Sequence, residues 1–115
     1  MSPLEIIDKL NLAVLTLGRG NEELKRLGEI KAKTRRDYAV ALNQEILKLK
    51  SEDTRATYMI ELAKGNEKVA DLRLKKDIAE CCYFAALDSQ NVLKMEIEIL
   101  RSQLSFLKAE MENVL

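Results

Sequence analysis

Histidine and tryptophan are absent from the 115-residue sequence, which also has one proline, four glycines and two cysteines. Without histidine, the chain lacks the most frequent general base, metal ligand and neutral-pH switch of proteins. A helical bundle of this composition cannot supply the Glu-x-x-His pairs of a di-iron site. Proline and glycine lie far below the ~12% that they share in average proteins, which is typical of long helices.

The two cysteines, Cys81 and Cys82, are sequence neighbours, and neighbours cannot easily reach the geometry of an ordinary disulfide. On a helix their thiols point about 100° apart, and no further cysteine is present to complete a tetrahedral metal site. We expect both to be small, buried packing residues. Nineteen basic residues balance nineteen acidic ones, so no net charge steers the whole chain toward polyanions.

The apolar stretch at the N-terminus includes Glu5 and Asp8, and no basic leader precedes it. The sequence therefore predicts neither a signal peptide nor a membrane span. We expect the protein to be cytoplasmic. It also has no glycine-rich phosphate loop, nucleophile elbow or dinucleotide fingerprint, because Gly18-Arg19-Gly20 is too short and follows a helix. We expect no catalytic residues, no cofactor and no metal.

Apolar residues recur at helical spacing along the chain, which predicts an all-α fold. We expect one helical domain over residues 1–115, an elongated hairpin or bundle with a long, coiled-coil-like C-terminal helix. Ser2-Pro3-Leu4-Glu5 has the pattern of a capped helix start. Gly18-Arg19-Gly20, residues 51–54 and Gly65-Asn66 are expected to separate the helices. The predicted helices cover about residues 3–17, 21–50, 54–64 and 67–113.

The C-terminal helix has the strongest pattern, because its seam positions alternate three and four residues apart through nearly seven heptads. These positions are Val69, Leu72, Lys76, Ala79, Tyr83, Ala86, Gln90, Leu93, Ile97, Leu100, Leu104, Leu107, Met111 and Val114. Such a helix spans roughly 65 to 70 Å, whereas a compact domain of this length is only about 35 Å across. A second helix that covers about 45 Å leaves part of it projecting.

Apolar residues in that projecting part predict pairing with a second copy or with a partner's helix. The predicted oligomer interface consists of Leu93, Ile97, Leu100, Leu104, Leu107 and Met111. The alternative is that the first helix folds back onto the same seam and gives a monomeric bundle.

A basic stretch, Lys31-Ala32-Lys33-Thr34-Arg35-Arg36, is the feature most suited to a charged ligand. Lys31 and Arg35 are one helical turn apart and share a face. Phosphate contacts by Lys31, Lys33, Arg35 and Arg36 would give salt-sensitive DNA binding. Tyr38 is the one stacking residue nearby, so a solvated helix face is the favoured interpretation.

Several short patterns resemble a family of small, all-helical proteins from bacteriophage and prophage early regions. They are Arg36-Asp37-Tyr38 with Ala41, Ala70-x-Leu72, Asp77-Ile78-Ala79-Glu80, Tyr83, and the stretch from Leu100 to Glu110. The resemblance covers about residues 29–110 and implies a location in a bacterial host cell. Most members of the family have no assigned activity, so the resemblance implies no functional residue.

The sequence thus predicts a non-catalytic phage or prophage accessory protein that acts by helix-mediated self-association and protein contact. Its expected partners are further copies of itself and a phage or host protein. The alternative is a DNA-binding accessory protein for phage replication or recombination that uses the basic stretch.

Overall fold

The computed structural model describes residues 1–114, which form three α-helices and short connections. Helix α1 covers Pro3–Ser51, α2 covers Ala56–Gly65 and α3 covers Glu67–Val114. None of the described residues lies in a β-strand. The all-α class and the long C-terminal helix are therefore confirmed.

Local hydrogen bonds explain the predicted helix ends. The Ser2 hydroxyl accepts a hydrogen bond from the Glu5 backbone amide at 3.2 Å, which caps the start of α1. The turn after α1 includes Asp53 in a left-handed conformation, with φ of 56°. At the start of α3, the Asn66 side-chain oxygen accepts from the Val69 amide at 3.2 Å. The predicted breaks near residues 51–54 and 65–66 are confirmed.

The predicted break at Gly18-Arg19-Gly20 is wrong, because α1 continues through these residues without interruption. Neither glycine has a positive φ, so the backbone does not use the freedom that glycine offers for a reversal. Gly20 instead lies against Gln90 of α3, and an added Cβ would overlap the Gln90 side chain. At this position glycine provides space for a neighbouring helix rather than a turn.

The continuous helix α1 leaves no difference in helix length to favour self-association. Helix α1 has 49 residues and α3 has 48, so the chain contains two helices of nearly equal length. The expectation that a 30-residue helix leaves part of α3 projecting is therefore wrong. Any reason for self-association has to come from the surfaces of the molecule.

The chain divides into two compact units, which are described separately. The terminal unit joins Met1–Lys25 of α1 to the segment of α3 that begins at Ala85. Its two helical segments run in opposite directions, because Pro3 lies near Leu107 whereas Leu17 lies near Gln90.

The central unit is Arg26–Phe84, and it contains α2 as well as parts of the two long helices. Its core is built from small side chains and one valine. The buried hydrophobic residues are Ala41 on α1, Ala63 on α2, and Val69 and Ala79 on α3. Each of the three helices therefore contributes to this core.

Candidate interaction surfaces

The residues predicted as an oligomer interface lie mostly on the seam between α1 and α3 in the terminal unit. Ile97 is buried, with 5% of its surface exposed. Leu93, Leu100, Leu104 and Leu107 are half-buried, while Met111 is exposed. Leu107 lines one cavity with Ile6 and another with Pro3, which places α1 over this seam. The packing corresponds to the fold-back alternative for this part of the chain.

Gln90 is the buried polar residue of this seam, with 6% exposure. Its side-chain amide donates to the Leu17 carbonyl at 2.9 Å and to the Asn21 side-chain oxygen at 2.8 Å. Gly20, on the same turn of α1, leaves room for that side chain. A buried polar group has a strong requirement for its partners, so this contact fixes the register of the two helical segments.

The outer surface of the terminal unit is rich in exposed apolar side chains. Among its described residues, the buried hydrophobic ones are Ile6 and Ile97. Twelve large hydrophobic side chains are exposed: Met1, Leu4, Ile7, Leu12, Val14, Leu15, Val92, Met95, Ile99, Phe106, Met111 and Val114. A pair of helices has no third layer to cover these residues, so most of the apolar side chains of this unit face solvent.

Four of these residues form a regular row on α3, which we call the outer stripe: Val92, Met95, Ile99 and Phe106. Each follows a seam residue by two positions, and two positions correspond to about 200° around a helix. Val92 and Met95 therefore lie on the side of α3 opposite its seam with α1, whereas Ile99 and Phe106 lie nearer its edge, because Phe106 shares a cavity with Ile6 and Ile99 shares one with Met1. Our sequence prediction missed it, although the same three-and-four spacing was visible two residues out of phase with the seam.

A shallow groove follows the outer stripe between Met95 and Ile99. Its volume is about 350 Å³, and Lys94 and Glu98 form its other two walls. Glu98 also pairs with Arg101 at 3.2 Å. Charges of both signs thus border an apolar surface, an arrangement typical of the rim of a helix–helix contact.

In the central unit, lysines rather than glutamine occupy the polar positions of the seam. The Lys31 ammonium lies 5.4 Å from the centre of the Tyr83 ring and 5.6 Å from that of Phe84. The Lys76 ammonium lies 5.5 Å from the Tyr38 ring. These distances are within the range of cation–π attraction. Each lysine buries its aliphatic stem beside a ring while its charge reaches solvent.

Lys76 has an additional set of acidic partners. The Asp77 carboxylate, hydrogen-bonded to the Lys76 ammonium at 3.0 Å, raises the pKa of Lys76, and Glu80 at 3.6 Å adds to the effect. Lys76 is therefore firmly charged at neutral pH.

The four basic residues considered for DNA binding are not gathered on one face. Lys31 is half-buried over its two rings, whereas Lys33, Arg35 and Arg36 are exposed. Lys33 follows Lys31 by two positions, about 200° around the continuous helix α1. Arg36 pairs with Asp37 at 3.2 Å. Over residues 26–84, thirteen Lys and Arg stand against ten Asp and Glu, a surplus of three that gives only a weak attraction to a polyanion.

Cys81 and Cys82 are exposed, so their predicted burial is wrong. Cys81 follows the buried seam residue Ala79 by two positions, about 200° around the helix, whereas Cys82 follows it by three positions and lies about 60° to one side of Ala79, at the edge of the seam. Composition favours buried cysteine, but the phase of the helix decides its direction here. Over residues 1–114, no group of three or more His, Cys, Asp or Glu side chains is arranged to hold a metal ion.

Comparisons with protein-family models, curated proteins and solved structures find no match for this chain. Within the described part of the chain, none of the helices combines the length and the apolar character needed to span a membrane. The surfaces of the two units are therefore the basis for assigning a function.

Proposed function

We propose that this chain is a non-catalytic assembly protein that self-associates through the helices of its terminal unit. The observation that carries the proposal is the imbalance within that unit. Two hydrophobic side chains are buried there and eight leucines are half-buried, while twelve large hydrophobic side chains remain exposed. Burying a large apolar side chain stabilises a protein by about 1.5 to 3 kcal/mol, so covering several of them would drive association.

The resemblance of residues 29–110 to small phage and prophage proteins supports an accessory role in a bacterial host cell. In that role, the assembled protein would present its remaining helix faces to a phage or host protein. This part of the proposal depends on the sequence patterns alone. A genomic position beside phage replication or recombination genes would support it, and a chromosomal setting without phage genes would argue against it.

Light scattering coupled to gel filtration tests the self-association directly. A single chain has a mass of 13.1 kDa. The proposal predicts a species of twice that mass or more at micromolar concentration. A mass of one chain at every concentration up to the millimolar range would reject it.

The alternative function, DNA binding through Lys31, Lys33, Arg35 and Arg36, receives less support because these side chains point in different directions around α1. It makes a separate prediction that can be tested on the same protein. Retention on single- or double-stranded DNA that weakens steeply with salt, and disappears on charge reversal of the four residues, would favour it. Absence of retention at low salt would remove it.

A further inference from the structure

The outer stripe has the spacing of a second helix-packing seam. Val92, Met95 and Ile99 are separated by three and four residues, and Phe106 follows Ile99 by one full heptad. Between 54% and 65% of each of these four side chains is exposed. A seam with a heptad repeat fits the side of another helix along its length, whereas a small ligand would need an enclosed pocket.

We infer that the outer stripe of one chain packs against the outer stripe of a second copy, so that two α3 helices form the centre of a dimer. This inference rests on the self-association proposed above and names the surface that carries it. The seam of Leu93, Ile97, Leu100, Leu104 and Leu107 then remains within each chain, covered by α1. The outer stripe replaces those residues as the intermolecular contact.

The apolar area of the outer stripe matches what a small, specific dimer requires. At roughly 100 Å² for each half-exposed large side chain, the four residues offer about 400 Å² per copy. The smallest specific interfaces bury about 600 Å² per partner, of which about 60% is apolar. Two outer stripes therefore supply the apolar part of such an interface.

The charges beside the outer stripe favour a second copy over a partner whose surface charges all have one sign. Lys94 and Glu98 both line the groove between Met95 and Ile99, and Arg101 lies one turn beyond. A two-fold contact brings each residue of one copy against residues of the same surface on the other. A surface bordered by one sign would repel itself, whereas mixed signs allow the acid of one copy to face the base of the other.

The test compares charged substitutions in the outer stripe with a matched control elsewhere on the terminal unit. Met95→Glu places a carboxylate in the outer stripe, at a position that is 65% exposed. Leu12→Glu makes the same change on α1, at a position that is 66% exposed. Circular dichroism checks that each variant keeps the helical content of the wild type.

Sedimentation equilibrium of the three proteins gives the outcome. We expect the wild type and Leu12→Glu to dimerise equally, and Met95→Glu to raise the dissociation constant by ~100-fold or more, because its carboxylate loses water in the contact. A monomeric wild type would overturn both the self-association and this inference. A dimer that survives Met95→Glu, or that Leu12→Glu disrupts instead, would overturn the inference alone and leave self-association standing.

Discussion

The seam between α1 and α3 in the central unit contains two lysines, Lys31 and Lys76, each lying over aromatic rings. In the terminal unit the contact between the two helical segments contains Gln90, which is buried and hydrogen-bonded to Leu17 and Asn21. A lysine over a ring keeps its charge in water and tolerates small movements. A buried side-chain amide tolerates few such movements, because its hydrogen-bond partners must stay in place.

The two units also differ in what covers their helices. In the central unit α2 supplies Ala63, which is fully buried, as a third element of the core. The terminal unit has two helical segments and leaves twelve large hydrophobic side chains exposed, compared with nine in the central unit. A well-formed seam does not by itself complete a helical unit, since each helix has a second side.

Shortening the buried seam residues should affect the two units differently. Ile97→Ala in the terminal unit is expected to lower the free energy of unfolding by about 2 to 4 kcal/mol, because it leaves a cavity. Val69→Ala in the central unit removes one carbon fewer and should cost about 1.5 to 2.5 kcal/mol. Urea unfolding at two protein concentrations measures both free energies. The urea concentration at the midpoint of unfolding should depend more on protein concentration for Ile97→Ala than for Val69→Ala. An equal dependence of the two midpoints on protein concentration would contradict the difference between the units.

Two glycines of α1 provide a matched pair within the terminal unit. Gly18 has open space around it, so Gly18→Ala should raise the free energy of unfolding by about 0.5 to 1 kcal/mol through better helix propensity. Gly20→Ala meets the Gln90 side chain and displaces its amide from buried partners, which should cost about 1 to 2 kcal/mol. Thermal unfolding would measure the expected stabilisation by Gly18→Ala and the expected destabilisation by Gly20→Ala. Stabilisation by Gly20→Ala would mean that Gln90 does not fix the register.

Removing one seam lysine of the central unit should have a smaller effect. Lys31→Met keeps the aliphatic stem and loses the charge over Tyr83 and Phe84, which should lower the free energy of unfolding by about 0.5 to 1 kcal/mol. Lys33→Met, at an exposed position of α1, serves as the control and should change little. If the two variants unfold alike, the rings contribute nothing measurable to the seam.

The pH dependence of Lys76 gives the smallest expected effect. Its pKa is raised in the folded protein, chiefly by the hydrogen bond to Asp77, so folding favours the charged form. This stabilisation is complete below the ordinary lysine pKa of 10.5 and is lost as the pH rises through the higher folded value. The difference in unfolding free energy between wild type and Lys76→Met should therefore shrink above pH 10.5. A difference in unfolding free energy that stays constant with pH would contradict the role of Asp77. The control is the Lys75→Met variant.

The sequence predicts most of the fold, because its periodicity and caps are local. The end of α1, the bounds of α2 and the whole of α3 follow from turn residues and an unbroken heptad pattern. The prediction of a turn at Gly18 and Gly20 is wrong because the sequence alone does not distinguish a glycine that permits a turn from one that makes room for a neighbouring helix. The distinction depends on Gln90, which lies 70 residues after Gly20 in the chain.

The candidate site was only partly predictable for a related reason. Our prediction took the strongest apolar row, from Leu93 to Met111, as the intermolecular surface, and its members from Leu93 to Leu107 pack toward α1. Periodicity identifies a packing face but does not say whether the same chain supplies its partner. The outer stripe follows from the continuous helix α1, because α1 occupies the seam and leaves Val92 and Met95 exposed on the opposite side of α3.

Amide hydrogen exchange at several protein concentrations tests most directly whether the terminal unit needs a second copy and the central unit does not. We expect the helical amides of residues 1–25 and 85–114 to become less protected on dilution below the dissociation constant, while those of residues 26–84 keep their protection. Protection of the terminal unit that stays constant across the dilution series would contradict it.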